Sequence, residues 1–152
     1  MRKIEEPRWL TVEQQAVWRS WLNAVNVIQE YLESALREFD LDLGEYEIMV
    51  HLSEAPDHRL RMSELADRLR HSRSRLTHTV TRMERQGLVA RTTCPGDRRG
   101  VIAVLTQTGW ELLVQAAPYH VQSVREALVD PIDPADFEAL GRAMQAVVNA
   151  RS

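Results

Sequence analysis

Between Ser63 and Thr106 the chain reads SELADRLRHSRSRLTHTVTRMERQGLVARTTCPGDRRGVIAVLT, and this order of signals constrains the fold more than any other feature. Leu65, Ala66 and Leu69 form one apolar stripe, with Ser63 expected to cap its helix by accepting a bond from a free first-turn amide. Arg70 to Arg73 separate that stripe from the next, and Ser72 is the expected second cap. Leu76, Val80, Met83 and Gly87 then recur at spacings of four, three and four, which places them on one helical face. The other faces carry Arg73, Ser74, Arg75, Thr77, His78, Thr79 and Arg82. A short helix, a tight turn and a second helix with a bare polar front is a helix-turn-helix plan.

A second device follows. Gly87 is placed to stop the helix by adopting positive φ. Leu88 to Cys94 and Gly100 to Leu105 read as strands, joined by a turn over Pro95-Gly96-Asp97-Arg98-Arg99 that carries two adjacent guanidinium groups. Such a hairpin beside a polar helix is a wing. The DNA major groove is wide enough to admit a helix, and the narrow minor groove attracts inserted arginine. Arg73 and Arg75 can pair bidentately with guanine, while Ser72, Ser74, Thr77, His78 and Arg82 suit base edges or phosphates. Arg98 and Arg99 are the candidate minor-groove residues. The net charge of −3 at first argues against a nucleic-acid partner. Its distribution reverses that, because Arg59 to Arg99 holds eleven arginines and four acids, a local +7, against −10 for the rest. Asymmetry of this size marks a footprint for a polyanion.

With SELADRL, the SRSRLTHTVTRMERQGLV helix, the DRRG wing and the LTQTG that opens the next helix, the chain resembles the MarR family of winged-helix transcriptional regulators. The resemblance implies a mainly α fold with a small β-hairpin wing, the winged helix-turn-helix being flanked by long N- and C-terminal dimerisation helices. It implies a homodimer that offers one reader to each half-site of an inverted repeat in double-stranded DNA. Asp97 would orient a wing arginine. A small-molecule pocket would open between the first, second and fifth helices and the DNA-binding lobe.

At 152 residues the chain is expected to be one domain, 1–152, with dimerisation helices over 11–39 and 107–150 and the winged helix-turn-helix over 60–106. No apolar run approaches the ~20 residues that span a membrane. The start, MRKIEEPRWL, has no apolar signal core, so a cytoplasmic protein is expected. Thr11 to Phe39 reads as a long helix opened by a capping box of Thr11 and Gln14. Its stripe, from Trp18 to Phe39, is too long for one small domain to cover, which points independently to a second chain. Asp40 to Gly44 breaks that helix, and Gly44 to Ser53 forms a shorter one. Arg59 to Met62 adds a short strand to the hairpin. Thr106 caps a helix over Gln107 to Val129, in which Pro118 predicts a kink. Asp133 followed by Pro134 starts the last helix, which runs to about Ala150.

The remaining residues carry less. Cys94, the single cysteine, excludes an internal disulfide and stands at the base of the wing, where filler is favoured over a thiol switch. His51, His58, His71, His78 and His120 form no close i, i+4 pair, so neither metal nor cofactor is expected. Trp18, Arg19 and Tyr46 are the candidate ligand residues, aromatic walls and one cation suiting an aromatic acid or phenol. No catalytic constellation is present, so the chain is not read as an enzyme. The expected function is a sequence-specific DNA-binding regulator, a repressor released from a palindromic operator by such a compound. The alternatives are a winged-helix module for protein or RNA binding, or a regulator responsive to oxidation of Cys94.

Overall fold

The computed structural model describes residues 7–94 and 97–150, with side chains described for 7–94 and 100–150. Helix α1 spans Val12–Leu36 and opens with the expected capping box: Thr11 Oγ1 accepts the Gln14 amide at 3.2 Å, and Gln14 Oε1 accepts the Thr11 amide at 3.0 Å. A 3-10 turn over Arg37–Phe39 ends on Asp40 in the left-handed region, which turns the chain. Helix α2, Leu43–Ser53, starts one residue before the expected Gly44. The reason is a second capping box, in which Asp42 and Glu45 exchange side-chain and backbone bonds, so Leu43 and Gly44 are first-turn residues and not a break. Tyr46, Ile48, Met49 and Leu52 are all buried, so α2 is the central helix, apolar round most of its circumference.

Strand β1 is Arg59–Arg61, and α3 is Met62–Leu69. Ser63 is not the cap of α3. The pairing of Arg61 with Ile102 holds Arg61 extended at the N-cap position, and Ser63 falls inside the first turn. Arg70, in the left-handed region, ends α3. Helix α4 spans Arg73–Arg85, with Ser72 Oγ accepting the Arg75 amide at 3.3 Å as expected. Leu76, Val80 and Met83 are buried against the core, and Gly87 leaves the helix at φ +74°.

Strands β2, Val89–Cys94, and β3, Asp97–Leu105, complete an antiparallel sheet in the order β1-β3-β2. Strand β3 begins before the expected Gly100, already including Asp97, Arg98 and Arg99, while Pro95 and Gly96 of the expected turn lie outside the described residues. Between Thr93 and Cys94 the partner on β3 jumps from Val101 to Asp97. That irregularity accommodates the extra residues as strand. Cys94 therefore lies at the far end of the hairpin, not at its base.

Helix α5, Gln107–Val124, begins at the hairpin's base. Thr106 Oγ1 donates to the Gly87 carbonyl at 2.6 Å and accepts the Gly109 amide at 3.0 Å. A Cβ on Gly109 would lie 2.2 Å from the Leu88 carbonyl oxygen, so only glycine lets the helix start this close to the sheet. The α-helix runs through Pro118 without interruption. Val114, whose carbonyl would have bonded the missing amide, is exposed and can use water instead. The departure from α geometry comes later, as a π turn over Arg125–Val129. Helix α6, Pro134–Asn149, is capped by Asp133 and contains no buried residue.

Candidate nucleic-acid interface

Helix α4 presents Ser72, Arg73, Ser74, Arg75, Thr77 and His78 to solvent, all exposed, on the side opposite Leu76 and Val80. Their exposure follows from the helical period, since the buried positions repeat every three or four residues and leave the rest outside. Arg73 and Arg75 have no ion pair among the described residues. The threonines are more constrained than their exposure suggests. Thr77 Oγ1 donates to the Arg73 carbonyl at 2.8 Å, Thr79 Oγ1 to that of Arg75 at 3.2 Å, and Thr81 Oγ1 to that of Thr77 at 2.8 Å. A hydroxyl whose proton is used on its own helix offers only lone pairs outward. Thr77 is thus matched to an amino donor such as adenine N6 or cytosine N4, and poorly matched to a phosphate.

Arg82 behaves differently from its neighbours. Its Nε donates to Glu45 Oε1 at 2.7 Å, and its Nη2 bonds Asp42 Oδ2. The Glu45 side chain is only 3% exposed. The bond that Arg82 donates to Glu45 raises the Arg82 pKa further above its ordinary value, so the guanidinium stays charged.

The wing is docked on the same helix. Glu84 accepts the Arg91 amide at 3.1 Å and the Arg91 guanidinium at 2.7 Å. That bond holds the Glu84 carboxyl below the usual carboxylate range, and it offsets the poor placement of an acid in a helix's last turn. At the far end of the hairpin, Arg61 Nη2 donates to Cys94 Sγ at 3.1 Å. The backbones of Asp97, Arg98 and Arg99 lie in β3, and their side chains are outside the described residues.

These bonds thin the basic footprint. Arg59, Arg68, Arg82 and Arg91 are each paired with a carboxylate. Of the remaining arginines in the segment, Arg73 and Arg75 stand on the first turn of α4 and Arg85 in its last turn.

The three candidate ligand residues are not brought together. Tyr46 is buried in α2 and stacks on His120 of α5 with ring centroids 4.2 Å apart. It lines a cleft of about 490 Å³ with Leu32, His51, Arg68, Arg70 and His120. Trp18 is 53% exposed and sits fourteen residues before Leu32 on α1, roughly 20 Å along the helix. Arg19 is exposed beside it. Trp18 shares an outward apolar face of α1 with Val17 and Trp21, and Arg19 points away from it. Burial of His120 lowers its pKa, and its Nδ1 is buried with no hydrogen-bond partner among the described residues. Among the described residues no group of three or more His, Cys, Asp or Glu side chains is placed to hold a metal ion. No helix is long and apolar enough to cross a membrane.

Sequence reasoning missed the Asp42–Glu45 anchor, the Glu84–Arg91 bond and the Tyr46–His120 stack. The first had a visible signal, since Asp42 and Glu45 stand at capping-box spacing before an apolar run. The other two depend on which elements the fold brings together.

The sequence profile of the MarR family matches residues 39–100, from the 3-10 turn after α1 to the wing. PecS, a helix-turn-helix transcriptional regulator of Dickeya dadantii, is 29% identical over 67% of this chain and 62% of its own length. YetL, a transcriptional repressor of Bacillus subtilis, is 32% identical over 55% of this chain. The chain thus spans between half and two thirds of the curated relatives it matches. Likeness to the structure of Sco3205, a MarR family regulator of Streptomyces coelicolor solved in complex with DNA, is far more extensive. The TM-score is 0.92 at 42% identity, covering 97% of this chain and 92% of that one. With that identity over nearly the whole length, and with helix-turn-helix, wing and long flanking helices in the same order, this chain belongs to the MarR family.

Proposed function

We propose that the protein is a homodimeric, sequence-specific regulator of transcription that binds double-stranded DNA and releases it on taking up a small aromatic acid or phenol. The observation that carries the DNA-binding reading is the exposed first half of α4, with Arg73, Arg75 and His78 outward and an antiparallel hairpin fixed beside it by Arg91. Its membership of a family of transcriptional regulators supports the same reading.

Dimerisation is supported by what the chain leaves uncovered. Only Leu36 of α1 is buried, and no residue of α6 is, although Phe137, Val147 and Val148 are apolar. A second copy would cover these faces, and Trp18 and Trp21 belong to that surface. The effector is assigned to the cleft beside Tyr46. Tyr46 and His120 give it an aromatic wall, and Arg70 gives it a cation, Arg68 at its edge being paired with Glu64. Repressor action is the reading for its sign, in keeping with YetL. Nothing in the reading calls for an enzyme.

Binding of a duplex across a range of salt tests the central part. If the dimer neutralises roughly 6–10 phosphates, log affinity falls against log salt with a slope of about −5 to −9. A flat dependence, or a preference for single strands or RNA, moves the protein to the RNA- or protein-binding alternative.

A further inference from the structure

We propose that Arg82 is a positioning residue, which sets the orientation of α4 through the capping box of α2 and neither reads nor holds DNA. The proposal rests on the DNA-binding reading above and refines how the reader is held.

Four hydrogen bonds close into one network. Asp42 Oδ1 accepts the Glu45 amide at 2.8 Å, and Glu45 Oε2 accepts the Asp42 amide at 3.0 Å. The remaining oxygens, Glu45 Oε1 and Asp42 Oδ2, take Arg82 Nε and Nη2. Each carboxylate therefore gives one oxygen to the start of α2 and the other to α4. Together the three charged groups sum to −1, which disfavours a phosphate at this point. Arg82 also lies nine residues after Arg73, roughly 14 Å further along the axis than the first turn.

Apart from the Glu84–Arg91 bonds to the wing, the rest of the α4 attachment to the core is apolar. Leu76, Val80 and Met83 bury one face and so set which side of α4 meets the core, but non-directional contacts leave the fine rotation about the helix axis less constrained. A planar guanidinium held by two carboxylates fixes that rotation, because its donors are set in a rigid fork. Rotation decides where Arg75, Thr77 and His78 meet the groove. Glu45 is buried, so loss of Arg82 leaves a carboxylate without its partner.

The test uses the full-length wild type, Arg82→Gln, Glu45→Gln and the double variant. Affinity is measured for the duplex that the wild type selects from a random pool and for a scrambled duplex, at several salt concentrations. The proposal expects each single variant to lower the ratio of the two affinities about tenfold, comparable to one misread base pair. It expects the double variant to lose no more than either single one, with the salt slope unchanged. It is overturned if Arg82→Gln weakens both duplexes alike and makes the slope shallower by about two per dimer, one phosphate per protomer, while Glu45→Gln leaves binding unchanged. If Arg82→Gln does not fold, Glu45→Gln decides alone. A lowered ratio at unchanged slope supports the proposal, and an unchanged ratio overturns it. A wild type that selects no duplex defeats the DNA-binding reading itself, whereas a selective wild type with selective variants defeats only the role of Arg82.

Discussion

Thr77 and His120 show how much a residue's role depends on where its hydrogens go. With its proton committed to the Arg73 carbonyl, Thr77 faces outward as an acceptor. Thr77→Val removes that acceptor at nearly constant shape. Stability should stay within about 0.5 kcal/mol, as for an exposed position, and the preferred base at one place in each half-site should change. Selection from a random duplex pool reads this, and an unchanged preference removes Thr77 from the bases. His120 makes a different prediction. Burial lowers its pKa from the ordinary value of 6.5, so as pH falls through 6.5 the unfolded chain takes a proton that the folded one resists. Stability is therefore retained above that pH and lost as pH falls towards the lowered folded value. Glu47, His51, Arg68 and Arg70 share the cleft. Thermal melting between pH 7 and 5.5 should show the loss, and His120→Phe, which keeps a ring against Tyr46, should reduce it. Equal pH dependence in both proteins would place the sensitivity elsewhere. The exposed set on α4 was legible from the sequence because helical period alone sorts it. The roles of Arg82 and His120 were not, since each depends on a residue more than thirty positions away.

At the scale of the elements, the hairpin and α5 are fastened together by Thr106 and Gly109. The motif LTQTG was recognisable in the sequence, but its physical reason appears only in the packing against the Leu88 carbonyl. Gly109→Ala places a Cβ 2.2 Å from a backbone oxygen and 2.8 Å from Leu105 Cδ1. Backbone cannot retreat as a side chain can, so the variant should lose about 1–3 kcal/mol of stability, measured by chemical denaturation. A loss below about 0.5 kcal/mol would mean that the junction yields easily. Caps were the best-read signals, with Thr11, Ser72, Thr106 and Asp133 all capping as expected. Ser63 failed because a neighbouring strand pair fixed the preceding residue, a long-range constraint with no local signature. Pro118 does not end α5, which stays α-helical from Gln107 to Val124. Within one chain the candidate ligand residues are separated, Trp18 and Arg19 lying several turns along α1 from the cleft that Tyr46 lines. Residues on one helix can look adjacent to a pocket while lying several turns from it.

Over the whole molecule, a compact reader stands beside long helices whose apolar faces are turned outward. Light scattering should therefore give twice the chain mass at micromolar concentration, and a stable folded monomer would contradict the account of α1 and α6. The order of elements was readable end to end, because capping residues, glycines and prolines punctuate it. The proposed partner chain was legible only as a surplus of apolar surface. The reader should make the proposed dimer's symmetry visible in the DNA it chooses, since each protomer would offer one α4. Selection of duplexes from a random pool by the full-length protein is the most direct test. The account predicts enrichment of an inverted repeat whose half-site centres lie about one helical turn, 34–36 Å, apart. No enrichment, or enrichment of a single asymmetric half-site, would contradict it.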